Sequence, residues 1–139
     1  MGSMIVAERV HDMLTADLTS EPVGARPDRF AVNGFWFSGA GLSIRSVPDA
    51  PNGLAFSSPA LEIELPDSAS HVRVEVWVDQ AITIEALDPS GTIIPTTSSF
   101  PARSGASVAN FSTRPPAIVR LRVTGGGDDS LVLSVREEP

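Results

Sequence analysis

Residues 60 to 88 read Ala60-Leu-Glu-Ile-Glu-Leu-Pro-Asp-Ser-Ala-Ser-His-Val-Arg-Val-Glu-Val-Trp-Val-Asp-Gln-Ala-Ile-Thr-Ile-Glu-Ala-Leu-Asp88. Apolar and polar side chains alternate through three runs, with short turn clusters between them. Leu61, Ile63 and Leu65 point one way and Glu62 and Glu64 the other. Val72, Val74 and Val76 oppose Arg73, Glu75 and Trp77, and Ile82 and Ile84 oppose Thr83 and Glu85. A period of two, with one side apolar, is the pattern of antiparallel strands that turn one face to a core and one to water.

The same rhythm continues in both directions. Asn33-Gly34, between Phe30-Ala-Val and Phe35-Trp-Phe, predicts a tight hairpin with a type I′ turn. Leu42 to Ser46 and Leu54 to Phe56 read as short strands around a Pro48–Gly53 loop. Asp88-Pro-Ser-Gly91 is a turn signal, with Thr92 to Ile94 as its returning strand. Val108 to Ser112 is a further strand, and in Ala117 to Thr124 the pattern turns Val119, Leu121 and Val123 inward. Leu131, Leu133 and Val135 close the domain. Residues 95 to 106, rich in Pro, Ser, Thr and Gly, read as a mobile loop. Residues 5 to 14 fit a short helix or a first strand equally well. The total is about nine or ten short strands with no long helix between them, which predicts an all-β, two-sheet antiparallel β-sandwich of jelly-roll type.

The chain has 139 residues, enough for one domain with a single core. Met1-Gly2-Ser3 reads as an expression scar, 4–16 as an N-terminal segment and 17–139 as the sandwich. With Met4 as the start, no secretory signal follows and an intracellular location is expected. There is no cysteine, which removes disulfides, thiolate nucleophiles and cysteine zinc sites. The net charge of −7 disfavours nucleic acid and anionic membrane as partners. All ten basic residues are arginine and there is no tyrosine, as a GC-rich genome would produce.

Asp17-Leu-Thr-Ser-Glu-Pro-Val-Gly24, Phe35-Trp-Phe, Ala50-Pro-Asn-Gly-Leu-Ala-Phe56 and the hairpin Ile82 to Ile94 follow one another in an order that resembles the galactose-binding-domain-like sandwiches. The late strand Ile118-Val-Arg-Leu-Arg-Val, followed by glycines, is similar to their penultimate strand. The likeness spans residues 17 to 135. It implies a carbohydrate- or protein-binding jelly roll, often with a structural calcium ion. Calcium needs six to eight oxygen ligands, and the candidates here are Asp17, Glu21 and Glu137. The final strand Ser130 to Val135 lacks the carboxylates that many relatives carry there.

Catalytic constellations are sparse. His11 and His71 are the only histidines, neither lies beside a nucleophile motif, and a solvated strand edge accounts for His71. Glu62, Glu64, Arg73, Glu75, Thr83, Glu85, Arg120 and Arg122 read as one solvated charge ladder. Trp77 is the exception on that face, an aromatic among charges able to stack on a sugar ring or anchor a partner. Its alternative fate is to lie under the 95–106 loop or the N-terminal segment. At Trp36, either the indole or its two phenylalanine neighbours face outward. The scarcity of Asn and Gln and the lack of Tyr count against sugar recognition.

The expectation is a non-catalytic binding or assembly module for carbohydrate or protein, with Trp77, Arg73, Glu75, Glu85 and Asn52 as ligand residues. Two alternatives stand beside it. One is a homo-oligomeric structural subunit. The other is a small cyclase- or isomerase-type enzyme using carboxylates with help from His71.

Overall fold

Alternation sorts the chain into two sheets. The computed structural model describes residues 14–57, 59–113, 117–126 and 129–138. Thirteen strands lie among them. The first five are β1 (Leu14–Asp17), β2 (Gly24–Ala25), β3 (Arg29–Val32), β4 (Phe35–Ser38) and β5 (Ser43–Arg45). Then come β6 (Gly53–Ala55), β7 (Ala60–Ala69), β8 (His71–Val78) and β9 (Ile82–Leu87). The last four are β10 (Ile93–Phe100), β11 (Gly105–Ser112), β12 (Ile118–Gly125) and β13 (Leu131–Glu138). A 3-10 turn, Leu18–Ser20, follows β1.

The seven-stranded sheet runs β11-β8-β13-β6-β5-β2, and β1 joins the β6 side of β13 farther along. The six-stranded sheet runs β10-β9-β12-β7-β4-β3. All pairings are antiparallel. Between the sheets, Val72, Val74, Val76 and Val78 of β8 meet the inward side chains of β4, β7, β9 and β12 in one core. Each buried valine, leucine or phenylalanine contributes about 1.5–3 kcal/mol before chain entropy is counted.

Local chemistry sets the turns. Asn33 (φ 50°) and Gly34 (φ 86°) are both left-handed, and Val32 pairs with Phe35, so the expected two-residue hairpin is present. In the 88–92 turn the Asp88 carboxylate accepts the backbone N–H groups of Ser90 (3.0 Å) and Thr92 (2.9 Å). Ser130, buried at the start of β13, accepts the backbone N–H groups of Asp79 (2.9 Å) and Gln80 (3.0 Å). It thereby locks the end of β8 to its neighbour. Ser130→Ala leaves both donors without this acceptor, and a loss of about 1–2 kcal/mol is expected in urea unfolding.

Four expectations are corrected. Residues 95 to 106 are not a loop, because β10 and β11 occupy most of them and only a short turn separates the two. Ser, Thr and Gly hide strands at a sheet edge, where little apolar surface is buried. Leu14 to Ala16, assigned to the N-terminal segment, form β1 and pair with β13. A register shift between Ile118 and Arg120 buries Ile118 and leaves Val119 half-exposed. The fourth correction concerns β13. A register shift between Val132 and Ser134 makes Leu133 an extra residue against β8. Leu131 and Leu133 therefore leave the main core for a second cluster outside the sheet, while Val132 and Val135 stay in the core. Of the 5–14 helix-or-strand segment, only Leu14 is among the described residues.

Candidate functional site

The outer face of the seven-stranded sheet is organised by β8. His71, Arg73, Glu75 and Trp77 stand on it at every second position. On one side, β11 places Ser112, Asn110, Val108 and Ala106 opposite them. On the other, β13 places Glu138, Arg136, Ser134 and Leu131. Beyond β13, Thr15 and Asp17 of β1 stand opposite Arg136 and Ser134.

Trp77 is half-buried and rests against Leu131, Leu133 and Ala55, with Val47 and Ala50 packed on the same cluster. The 46–52 loop therefore flanks it on the β13 side, and Ala106 of β11 stands beside it on the other. Gly53 makes this approach possible. A Cβ there would lie 2.8 Å from Leu131 Cβ and 2.9 Å from Leu133 Cδ2.

Two cavities lie in line on this face. One, of about 310 Å³, is lined by Thr15, Asp17, Thr19, Glu75, Leu133 and Ser134. The other, of about 230 Å³, is lined by His71, Arg73, Asn110, Ser112, Arg136 and Glu138. Hydrogen bonds from Thr19 and then Ser20 hold the Asp17 carboxyl below the usual carboxylate range. Asp17 is thus an acceptor rather than a proton donor. Glu75 accepts a hydrogen bond from the Ser134 hydroxyl at 3.2 Å. His71 is exposed at the end of the face, its Nδ1 3.2 Å from Ser70 Oγ.

Of the expected ligand residues, the structure brings Trp77, Arg73 and Glu75 onto one face. Glu85 is not with them. It stands on β9 of the other sheet, opposite Arg122. Reading all charged positions as one ladder merged two faces, because strand alternation fixes in and out but not which sheet a strand joins. Asn52 is half-buried beside the groove and reaches the Glu21 carbonyl at 3.5 Å, which positions the loop. His11 lies outside the described residues.

The residues missed from sequence are Asn110, Ser134 and Arg136. Their strands alternate as clearly as β8 does, but nothing local says that β11 and β13 flank it.

The outer face of the other sheet carries the second tryptophan. Phe35 and Phe37 are in the core, and Trp36 is 38% exposed. The Arg29 guanidinium sits 4.1 Å from the centre of its ring and 3.5 Å from a Glu64 oxygen. One face of Trp36 is thus already taken by a cation.

The proposed calcium ligands do not converge. Asp17 projects outward and is engaged by Thr19 and Ser20. Glu21 faces Arg26 at 4.0 Å. Glu137 projects into the sandwich and is buried. These residues do not fit a calcium site, and no group of three or more metal-ligating acids or histidines is found among the described residues.

No protein-family model matches the chain, and no curated protein matches it in sequence. Solved structures match in fold. A variant of CBM29-2, a family 29 carbohydrate-binding module, aligns with a TM-score of 0.54 at 11% identity, over 90% of this chain and 90% of that one. CBM29_1, a family 29 module from Piromyces equi, aligns with a TM-score of 0.52 at 12% identity, over 90% and 91% of the two chains. The architecture shared with them is the two-sheet antiparallel β-sandwich that the alternation predicts.

Proposed function

We propose that the chain is a non-catalytic module that binds a glycan along the outer face of the seven-stranded sheet. The observation that carries this reading is the alignment of two cavities along β8 and β13, with a half-exposed tryptophan at one end. From Trp77 to His71 the strand rises about 20 Å, room for an extended chain of several sugars. The chemistry along it suits hydroxyl-rich ligands: an indole for stacking, Glu75 and Asp17 as acceptors, Asn110 and the arginines as donors. The six-stranded sheet is the poorer platform, since Arg29 already covers its tryptophan. The fold shared with the family 29 modules agrees with this reading.

Affinity electrophoresis through soluble mannan, glucan, xylan and polyuronate tests it, with melting curves as the control for folding. The protein is expected to be retarded by at least one of these glycans. Trp77→Ala and, separately, the exposed Asn110→Ala should weaken binding about tenfold or more. If the folded protein migrates freely through every glycan, the reading is wrong.

A further inference from the structure

Arg73 and Arg136 stand directly opposite each other on neighbouring strands. Like charges in that position repel, so an isolated sheet would gain by separating them. Neither is neutralised well. The Nε atoms of both are buried without a hydrogen-bond partner among the described residues. Arg136 has Glu138 at 3.6 Å, close enough for an ion pair and too far for a hydrogen bond. Arg73 makes no hydrogen bond or ion pair with a described residue. Elsewhere the chain treats arginine differently: Arg122 donates to Glu62 at 3.0 Å, and Arg29 meets Glu64. Arg120 also has a free Nε, but Glu64 stands opposite it and it lines neither cavity. Among the described residues, only Arg73 and Arg136 combine a buried Nε without a hydrogen-bond partner with a place on the open cavity of about 230 Å³, where Glu138 pairs with Arg136 and Arg73 has no counter-ion.

We infer that the Arg73–Arg136 pair is an anion subsite that receives the carboxylate of an acidic, uronate-bearing polysaccharide. The inference rests on the glycan-binding reading and names the class of glycan. A guanidinium offers a flat fork of donors that matches a carboxylate, and the carboxylate has lone pairs enough for both arginines. Asn110, Ser112 and His71, in the same cavity, supply partners for ring hydroxyls. The net charge of −7 opposes anions at long range. At physiological salt that repulsion is screened beyond about 8 Å, so two guanidiniums at contact outweigh it.

The test compares polygalacturonate with neutral mannan in affinity electrophoresis, using wild type, Arg73→Gln and Arg136→Gln, with Arg120→Gln as a control. Melting curves confirm that each variant is folded. Polygalacturonate is expected to retard the wild type at least about tenfold more strongly than mannan, with retardation falling as salt rises. Arg73→Gln and Arg136→Gln should each abolish that preference, and Arg120→Gln should keep it. If mannan and polygalacturonate retard the wild type equally and Arg73→Gln changes nothing, the anion subsite is wrong while the glycan module stands. Free migration through these and all other glycans overturns both. If sodium acetate raises the melting temperature as much as polygalacturonate at equal ionic strength, the site takes any small anion, and the polysaccharide assignment fails.

Discussion

Val74→Asp yields no folded protein. Val74 is fully buried at the middle of β8, which is hydrogen-bonded on both sides, to β11 and β13. An aspartate there must be either ionised without a partner or protonated with its polar atoms unsatisfied. Either state costs several kcal/mol, on the scale of the whole stability of a domain. The loss of valine packing adds to it. No relaxation rescues the site, since shifting β8 by one residue would bring Arg73 and Glu75 into the core as well. Expression of Val74→Asp should give insoluble protein or a chain with no melting transition. Val74→Ala, which removes two carbons and adds no charge, should fold with a loss of about 1–3 kcal/mol. A cooperative, wild-type-like melt of Val74→Asp would reverse the assignment of inner and outer faces.

Glu137→Gln should stabilise the protein, and more so as pH rises. Glu137 sits on β13 at an inward position, opposite Val72 of β8 and Leu14 of β1, and is 5% exposed. Its Oε2 has no hydrogen-bond partner among the described residues. Burial first, and then the nearby Asp67 carboxylate, push its pKa up from 4.5 to about 7, against a hydrogen bond from the Asp67 backbone. A raised folded-state pKa means that the native protein holds its proton longer than the unfolded chain does. The contribution of Glu137 to stability is therefore intact below about pH 4.5 and is lost progressively as pH rises to about 7. The full loss is at most about 3 kcal/mol, and partial access of water reduces it. Asp17 works in the opposite sense: its lowered pKa withdraws stability as pH falls below 3.8. Urea unfolding from pH 4.5 to 8 should show wild-type stability falling, with a much flatter profile for Glu137→Gln. Equal slopes for the two proteins would show that Glu137 does not govern this range.

The fold was legible because every central strand declares itself twice, by its alternation and by the turn that ends it. Val72 to Val78 and Ile82 to Ala86 face the core as their spacing requires, and Asn33-Gly34 turns where only left-handed residues turn easily. The edges were less legible. Strands β10 and β11 carry few large apolar residues, since an edge strand buries less. Register shifts were invisible as well: nothing in Leu131-Val-Leu-Ser-Val says that two residues will oppose one on β8. The candidate site was half legible for a related reason. Trp77, Arg73 and Glu75 share one strand, and one strand can be read from sequence. Arg136 and Asn110 arrive from strands distant in sequence, and Glu85 was wrongly grouped because sheet membership is decided by pairings that no local pattern encodes.

The extra residue at Leu133 sets the parity of everything after it. Before it, odd-numbered residues of β13 face outward. After it, even-numbered ones do, as Ser134 and Arg136 show. Without that half-step Arg136 would point into the core and Glu137 to solvent. One inserted position therefore creates both an arginine on the groove and a carboxylate in the interior. The pH-dependent weakness of the domain and the charge of its proposed subsite share a single origin, and selection cannot adjust one through the bulge without altering the other.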